Sequence, residues 1–190
     1  MGNLQTVLDH VDKVVRPALR KYLQAEDSLT TALQAKDANV ARAARQDVLL
    51  AARQAVDVLH HLSDFVLKEP CPPLVFTKIE DVRTAVETKC VFLRGGQSVA
   101  DVGLLRDVAD AFKHHRPDRS SATVAASSDV VPVSLGWGQA RWGEGKWGSP
   151  EQVIITTKNG DQRALSSVLQ NVFDAWMTML GQQLPRIGHY

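Results

Sequence analysis

The 190-residue sequence has the length of one domain and is 44% hydrophobic, so it can bury a substantial core. Its 22 basic and 21 acidic side chains nearly cancel, which excludes the large positive excess that general nucleic-acid or acidic-membrane binding requires. No stretch approaches the ~20 apolar residues of a membrane span, and the N-terminus lacks the order of a secretory signal, so we expect a cytoplasmic protein.

Short motifs predict neither a lipid anchor nor a cofactor. The opening MGNLQT matches the N-myristoylation pattern through Gly2 and Thr6, but so short a pattern recurs by chance, and we expect Gly2 to be unmodified. Cys71 and Cys90 have no metal-ligand spacing and no secretory context, so we expect two reduced thiols. The sequence contains neither a phosphate-cradling glycine loop nor a Gly-x-Ser-x-Gly elbow, and no cofactor is expected.

The first third of the sequence predicts two long helices. Apolar residues recur every three or four positions over residues 4–23, with a bend expected at Pro17. Asp37 or Asn39 is placed to cap a second, alanine-rich helix that ends near residue 68. The core-facing stripe of that helix is predicted to be Val48, Ala52, Ala55, Leu59, Leu62 and Val66.

Two further helices follow. One is predicted over residues 79–93, where an Arg-Gly-Gly sequence closes it. The next is predicted to begin at Ser98, whose hydroxyl would cap it while Asp101 sits three residues on, and to end before Pro117. Its apolar seam is Val102, Leu105, Ala109 and Phe112.

The composition changes after residue 119 and predicts a small β element. VVPVSL predicts a strand, and QVIITTKNGDQRAL predicts a hairpin in which Asn159 and Gly160 supply the two positive-φ residues of a type I′ turn. Ser166 or Ser167 would then cap a final amphipathic helix that Gly181 ends.

The predicted fold is therefore mainly α: a helical bundle of about five or six helices with a small C-terminal β-hairpin element. Residues 1–119 are expected to form the bundle, and 120–165 a linker, a tryptophan- and glycine-rich loop and the hairpin. Residues 166–190 are expected to form a C-terminal helix that packs back on the bundle, giving one domain.

Two polar trios have spacings of three and four residues, which put each trio on one helix face: Asp57, His61 and Asp64, and Asp107, Asp110 and His114. Carboxylates and imidazoles from two helices hold divalent ions in some bundles. By helical phase, however, both trios lie about 160° from the apolar seams of their helices. We therefore expect them to face water and to hold no metal, although they remain the fallback metal site.

Arg106 is followed by a polar residue and, further along the same helix, by His114, an arrangement that resembles the HEPN family of helical-bundle proteins. The family motif has four to six residues between Arg and His, whereas seven separate them here. The resemblance implies a metal-independent ribonuclease in which Arg106 stabilises transition-state charge and His114 acts as general acid or base, with Asp110 beside them. The alternative is structural: cations in the last turn offset the helix dipole.

Three tryptophans, each followed by glycine, occur in GWGQARWGEGKWG. Trp137, Trp142 and Trp147 could stack on sugars or bases while Arg141 and Lys146 meet phosphates, could fold back on the bundle, or could be covered by a protein partner or a second copy. We predict a non-enzymatic binding or assembly module whose interaction surface is this loop, with a protein partner or self-association, and RNA as the other partner considered. The ribonuclease and the bundle metal site are the alternatives.

Overall fold

The chain is mainly helical with a small antiparallel sheet, as the sequence predicts. The structure is a computed structural model and describes residues 4–35, 37–69, 71, 74–117, 119–133 and 152–190. None of the helices in these ranges is both long and apolar enough to cross a membrane. The helices are α1 (Leu4–His10), α2 (Arg16–Gln34), α3 (Ala38–Lys68), α4 (Ile79–Glu87), α5 (Asp101–His114) and α6 (Leu165–Met179), and the strands are β1 (Val130–Val133), β2 (Gln152–Thr156) and β3 (Gln162–Ala164).

A π-helical segment, Val11–Val15, joins α1 to α2 immediately before Pro17. Proline has no backbone N–H, so the regular helical hydrogen bond to the carbonyl four residues earlier is missing. The irregularity expected at Pro17 thus lies in the turn before it, and Pro17 itself occupies the first turn of α2.

Helix α3 follows the sequence prediction closely. The carboxylate of Asp37 caps it by accepting hydrogen bonds from the backbone N–H of Asn39 (2.8 Å) and of Val40 (3.2 Å). All six residues of the predicted stripe are buried, and α2 packs along this helix.

The N-terminus of α5 is capped differently from the prediction. Helix α4 ends at Glu87 instead of continuing to residue 93, and Ser98 pairs with Val91 in an isolated bridge. Helix α5 then begins at Asp101 without a side-chain cap of its own. The carboxylate of Glu87 replaces it, because its Oε2 accepts from the N–H of Val102 (2.8 Å) and of the next residue (3.3 Å).

The sheet has the order β1-β2-β3, with both pairs antiparallel. The β2–β3 hairpin is confirmed, but its turn is not type I′: among the non-glycine residues that the structure describes, only Arg94 and His115 have a positive φ. Gly160 (φ +85°) donates to the carbonyl of Thr157 at 2.8 Å. A type I turn followed by a left-handed glycine makes the same reversal with one residue more.

Helix α6 is the centre of the molecule. It packs against α3, α4, α5 and β2, and nearly all of its first 13 residues are buried. It begins directly after β3, so neither Ser166 nor Ser167 caps it. It ends as predicted at Gly181 (φ +67°), where the N–H of Gln182 donates to the carbonyl of Met177 (2.8 Å) in a Schellman-type closure.

Candidate functional site

A cavity of about 250 Å³ lies in the groove between α3 and α5. Its walls are Arg53, Asp57 and His61 from α3, and Ala109, Phe112 and Lys113 from α5. The three α3 residues are spaced by four, which places them along one face of that helix. Two apolar side chains and four polar ones therefore surround a space of the size that a small ligand, or one part of a larger ligand, fills.

A cluster of ionisable residues lies one turn further along the same helices. Its members act on His60 or Arg83 through their charge, and we call them the arginine cluster: His60 and Asp64 from α3, Arg83 from α4, and Arg106 and Asp110 from α5. On both helices its members are three positions from residues that line the cavity. Since residues three apart are neighbours on a helix surface, the cluster adjoins the cavity.

The pKa of His60 in this cluster is unusually low, and burial is the main cause. It lowers the pKa of the imidazole to about 4, and the positive charge of Arg83 and the neighbouring His61 lower that pKa further, against Asp110 and Asp64, which raise it. His60 is therefore a neutral imidazole at neutral pH, able to donate one hydrogen bond and to accept another.

Arg83 is half-buried and lacks a partner for one of its donors. Its Nε is buried and makes no hydrogen bond in the part of the chain that the structure describes. Burial, and then the charge of Arg106, lower the pKa of Arg83, while Asp64, Glu80 and Asp110 raise it. Neither Arg83 nor Arg106 forms an ion pair within 4 Å with any described residue.

His114 does not join the other two residues of the predicted ribonuclease motif, Arg106 and Asp110. Arg106 is partly buried in the arginine cluster, whereas His114 is exposed at the end of α5. His114 lies eight positions after Arg106, so the two are about 12 Å apart along the helix axis. Asp110 binds Arg119, which donates to its Oδ2 from Nη2 at 2.7 Å and from Nε at 3.1 Å.

The prediction that Asp107 faces water is wrong. Asp107 is only 4% exposed. The chain returns over this side of α5 after the helix ends: Arg119 donates to Asp107 Oδ1 at 2.7 Å, and the hydroxyl of Thr123 donates to Oδ2 at 2.8 Å. The predicted seam was only part of the buried surface of α5: Leu104 and Ala111, three positions before and four after Asp107, are also buried, and the segment that follows the helix covers Asp107 itself.

The other trio lies mostly at the surface, as predicted. Asp57 and His61 are exposed, and Nδ1 of His61 is 2.8 Å from the carbonyl oxygen of Asp57. Asp64 is partly buried in the arginine cluster. In the described residues no group of three or more His, Cys, Asp or Glu side chains is arranged to hold a metal ion.

The tryptophan loop lies outside the described residues, and with it all five of its predicted site residues: Trp137, Arg141, Trp142, Lys146 and Trp147. Its two flanks are described. Val133, at the end of β1, pairs with Gln152, at the start of β2. The 18 residues numbered 134–151 are thus inserted between two paired positions of the sheet.

Both cysteines are buried and free. Burial raises the pKa of Cys71, and burial followed by the charges of Asp101 and Glu87 raises the pKa of Cys90 to about 12. A thiol with so high a pKa carries almost no thiolate at neutral pH, so these side chains serve as parts of the core.

Sequence reasoning missed His60 and Arg83 as members of a shared site. His60 and Asp64 are four residues apart, which places them on one face of α3, but Arg83 belongs to a separate helix. No local spacing connects these helices, because only the packing of α3, α4 and α5 brings the side chains together.

No protein-family model matches the chain, and no curated protein or solved structure matches it either.

Proposed function

We propose that this chain is a non-enzymatic binding module in which the helices and the sheet form a scaffold and residues 134–151 carry the surface for a protein partner or a second copy. The observation that carries this proposal is the pairing of Val133 with Gln152. It fixes both ends of a tryptophan-rich segment at adjacent positions of one sheet.

The strand that follows this segment in the chain is firmly held. Four successive residues of β2, from Gln152 to Ile155, are buried, and this strand packs against α6. Tryptophan and arginine are the side chains that contribute most to protein interfaces, and the segment contains three tryptophans, Arg141 and a lysine. A fixed base and an aromatic-rich insertion together favour recognition of another protein.

Tryptophan fluorescence and sedimentation test this proposal. The triple variant W137S/W142S/W147S leaves only Trp176, which is buried in α6, so subtracting its emission from that of the wild type isolates the emission of the loop. We expect loop emission to be red-shifted and quenched by acrylamide in dilute monomer. If the partner is a second copy, quenching should fall at the concentrations where sedimentation shows a dimer, and the triple variant should stay monomeric.

The reciprocal variant W176F is the matched control, because its emission comes from the loop alone. Blue-shifted, unquenchable loop emission from a sedimenting monomer would show that the three rings belong to the chain's own core. The proposal would then be abandoned.

A metal-independent ribonuclease is the second candidate function, and the arginine cluster favours it. The charge of Arg106 acts on Arg83, and the neutral imidazole of His60 belongs to the same cluster. Two guanidiniums can stabilise the charge of a phosphodiester transition state, and a neutral imidazole can accept a proton from a 2′-hydroxyl. In this arrangement His60, not His114, is the base.

Cleavage of single-stranded RNA in EDTA tests the second candidate. R106A and H60Q should abolish cleavage, whereas H114A should keep it, because His114 is exposed and away from the cluster. Absence of cleavage by the wild type, or cleavage that persists in both R106A and H60Q, would eliminate this function.

A further inference from the structure

Most of the partly buried guanidiniums in the described residues are paired. Arg94 binds Asp174, Arg119 binds two carboxylates of α5, and Arg163 binds Asp101. Arg83 and Arg106 are also partly buried, on the contacting helices α4 and α5, and each lacks an ion pair with a described residue although the charge of Arg106 acts on Arg83. Two like charges that act on each other at reduced solvent exposure cost free energy, and the nearby carboxylates offset this only through their charge, so a group that accepts hydrogen bonds from both guanidiniums would be favoured.

The buried Nε of Arg83 indicates where that group belongs. It is a strong donor shielded from solvent and without an acceptor among the described residues. Buried donors in folded proteins are nearly always satisfied by protein, by water or by an ion, and no described residue satisfies this one.

The acidic side chains nearby do not fill this place. Asp110 is held by Arg119 through two nitrogen atoms, and its Oδ2 accepts both hydrogen bonds. Asp64 and Glu80 act on Arg83 through their charge but do not approach it within 4 Å. No described carboxylate therefore holds the guanidinium of Arg83 or of Arg106.

Two guanidinium groups that share one ligand favour a phosphate over a carboxylate. One guanidinium satisfies the two oxygens of a carboxylate, whereas the three terminal oxygens of a phosphate monoester accept from two guanidiniums at once. The adjoining cavity offers Phe112 and Ala109 as apolar surface, with Arg53 and Lys113 at its walls. About 250 Å³ suits one ring, not a polymer.

We infer that Arg83 and Arg106 bind the phosphate group of a small phosphate monoester whose apolar or aromatic part lies in the α3–α5 cavity. Neither the tryptophan segment nor RNA cleavage is required for this binding. The ligand class is defined by its two ends: a dianionic phosphate and a compact, mainly apolar substituent.

Titration calorimetry with inorganic phosphate and with phenyl phosphate tests the inference, in buffers whose ionic strength is matched with chloride. The wild type should bind both, and phenyl phosphate more tightly. R106Q and R83Q should each weaken phenyl phosphate binding about tenfold or more, since each removes charge-assisted hydrogen bonds. R45Q, which removes an exposed arginine of α3 outside the cluster, is the matched control and should bind like the wild type.

A109L, which places a larger side chain in the cavity wall, separates the two ends of the ligand. It should weaken phenyl phosphate binding but leave inorganic phosphate binding unchanged. Circular dichroism establishes that each variant is folded, and two independent arginine variants keep the test decisive if one of them fails to fold.

Three results would overturn the inference: no binding of either probe at millimolar concentration, equal binding by the wild type and both arginine variants, or binding of single-stranded RNA through Arg106 without any binding of phenyl phosphate. The last result would support the ribonuclease instead. No residue of segment 134–151 is altered, so failure here leaves the binding-module proposal unaffected.

Discussion

Asp107 and Asp174 illustrate what single buried carboxylates do in this protein. Asp107 holds the segment that follows α5, through Arg119 and Thr123. Asp174, within α6, binds Arg94 through two oxygen atoms at 2.8 and 3.0 Å. Each carboxylate thus attaches a segment outside the α-helices to an α-helix, so its removal should lower stability.

Replacing Asp107 with alanine should lower the free energy of unfolding by about 2–3 kcal/mol, because the N–H and hydroxyl of Thr123 and one hydrogen bond of Arg119 lose their acceptor. D110A is the matched control on the same helix. Asp110 is 30% exposed and water can replace it, so its loss should cost about 1 kcal/mol. Urea unfolding measures the loss of stability in both variants. Equal losses would contradict the conclusion that buried Asp107 holds the segment after α5.

His60 predicts a specific dependence of stability on pH. Its pKa is about 4 in the folded protein, against an ordinary value of 6.5, and burial is the main cause. As the pH falls below about 6.5, the unfolded chain gains a proton at this site that the folded chain does not, so the folded state loses stability until about pH 4. The loss over this interval should reach at most about 3 kcal/mol.

Urea unfolding of the wild type and H60Q at a series of pH values measures this effect. The difference between the two proteins should change between pH 6.5 and 4 and stay constant above pH 7. H61Q alters the exposed neighbouring histidine and should retain the pH dependence of the wild type. A wild-type profile in H60Q would show that His60 does not cause it.

At the scale of elements, two glycines at helix ends have opposite roles. Gly103 lies in the first turn of α5, where an added Cβ would be 3.8 Å from Oε1 of Glu87, an ordinary van der Waals distance. Gly181 follows α6 with φ +67°, a conformation that side chains with a Cβ rarely adopt. The same substitution should therefore act in opposite directions at these two positions.

G103A should stabilise the protein by about 0.5–1 kcal/mol, because alanine loses less backbone entropy than glycine in a helix and meets no obstruction here. G181A should destabilise it by about 1 kcal/mol, because it forces a Cβ into the left-handed region. Thermal or urea unfolding of the two single variants checks the prediction. Effects of the same sign would show that one of the two backbone environments differs from this description.

The elements also show how far sequence reasoning reaches. The start of α3 at Asp37 and its buried stripe were predictable, because capping and helical period are local properties. The cap of α5 was not, because Glu87 is 15 residues before the N–H that it accepts from. The hairpin was found, but the pair Asn159-Gly160 fits more than one turn geometry.

The candidate site shows the same limit. Arg106 and Asp110 were singled out from one helix, but His60 and Arg83 join them only through the packing of three helices. Asp107 was expected at the surface because phase identifies the side away from one apolar seam and cannot show that a later segment covers the opposite side. Contacts between elements, and not the elements themselves, were beyond prediction.

At the scale of the whole molecule, the last residues of the described chain close over α6. The N–H of Gly188 donates to Oε1 of Gln170 at 2.9 Å, and Arg94 donates to the carbonyl of Pro185. Tyr190 is 5% exposed and meets the ring of Phe173 edge to face, with ring centres 5.3 Å apart. This segment therefore contributes to the core that α6 organises.

The tail gives a test of that closure. Y190A should lower the free energy of unfolding by about 3 kcal/mol, because it removes a buried aromatic ring and its contact with Phe173. I187A is the matched control in the same segment: Ile187 is 50% exposed, so its truncation should change stability by less than about 0.5 kcal/mol. Urea unfolding compares the two variants. If both variants lost little free energy of unfolding, the tail would lie on the folded core without stabilising it. A large loss in Y190A alone would show that the tail unfolds cooperatively with the core around α6.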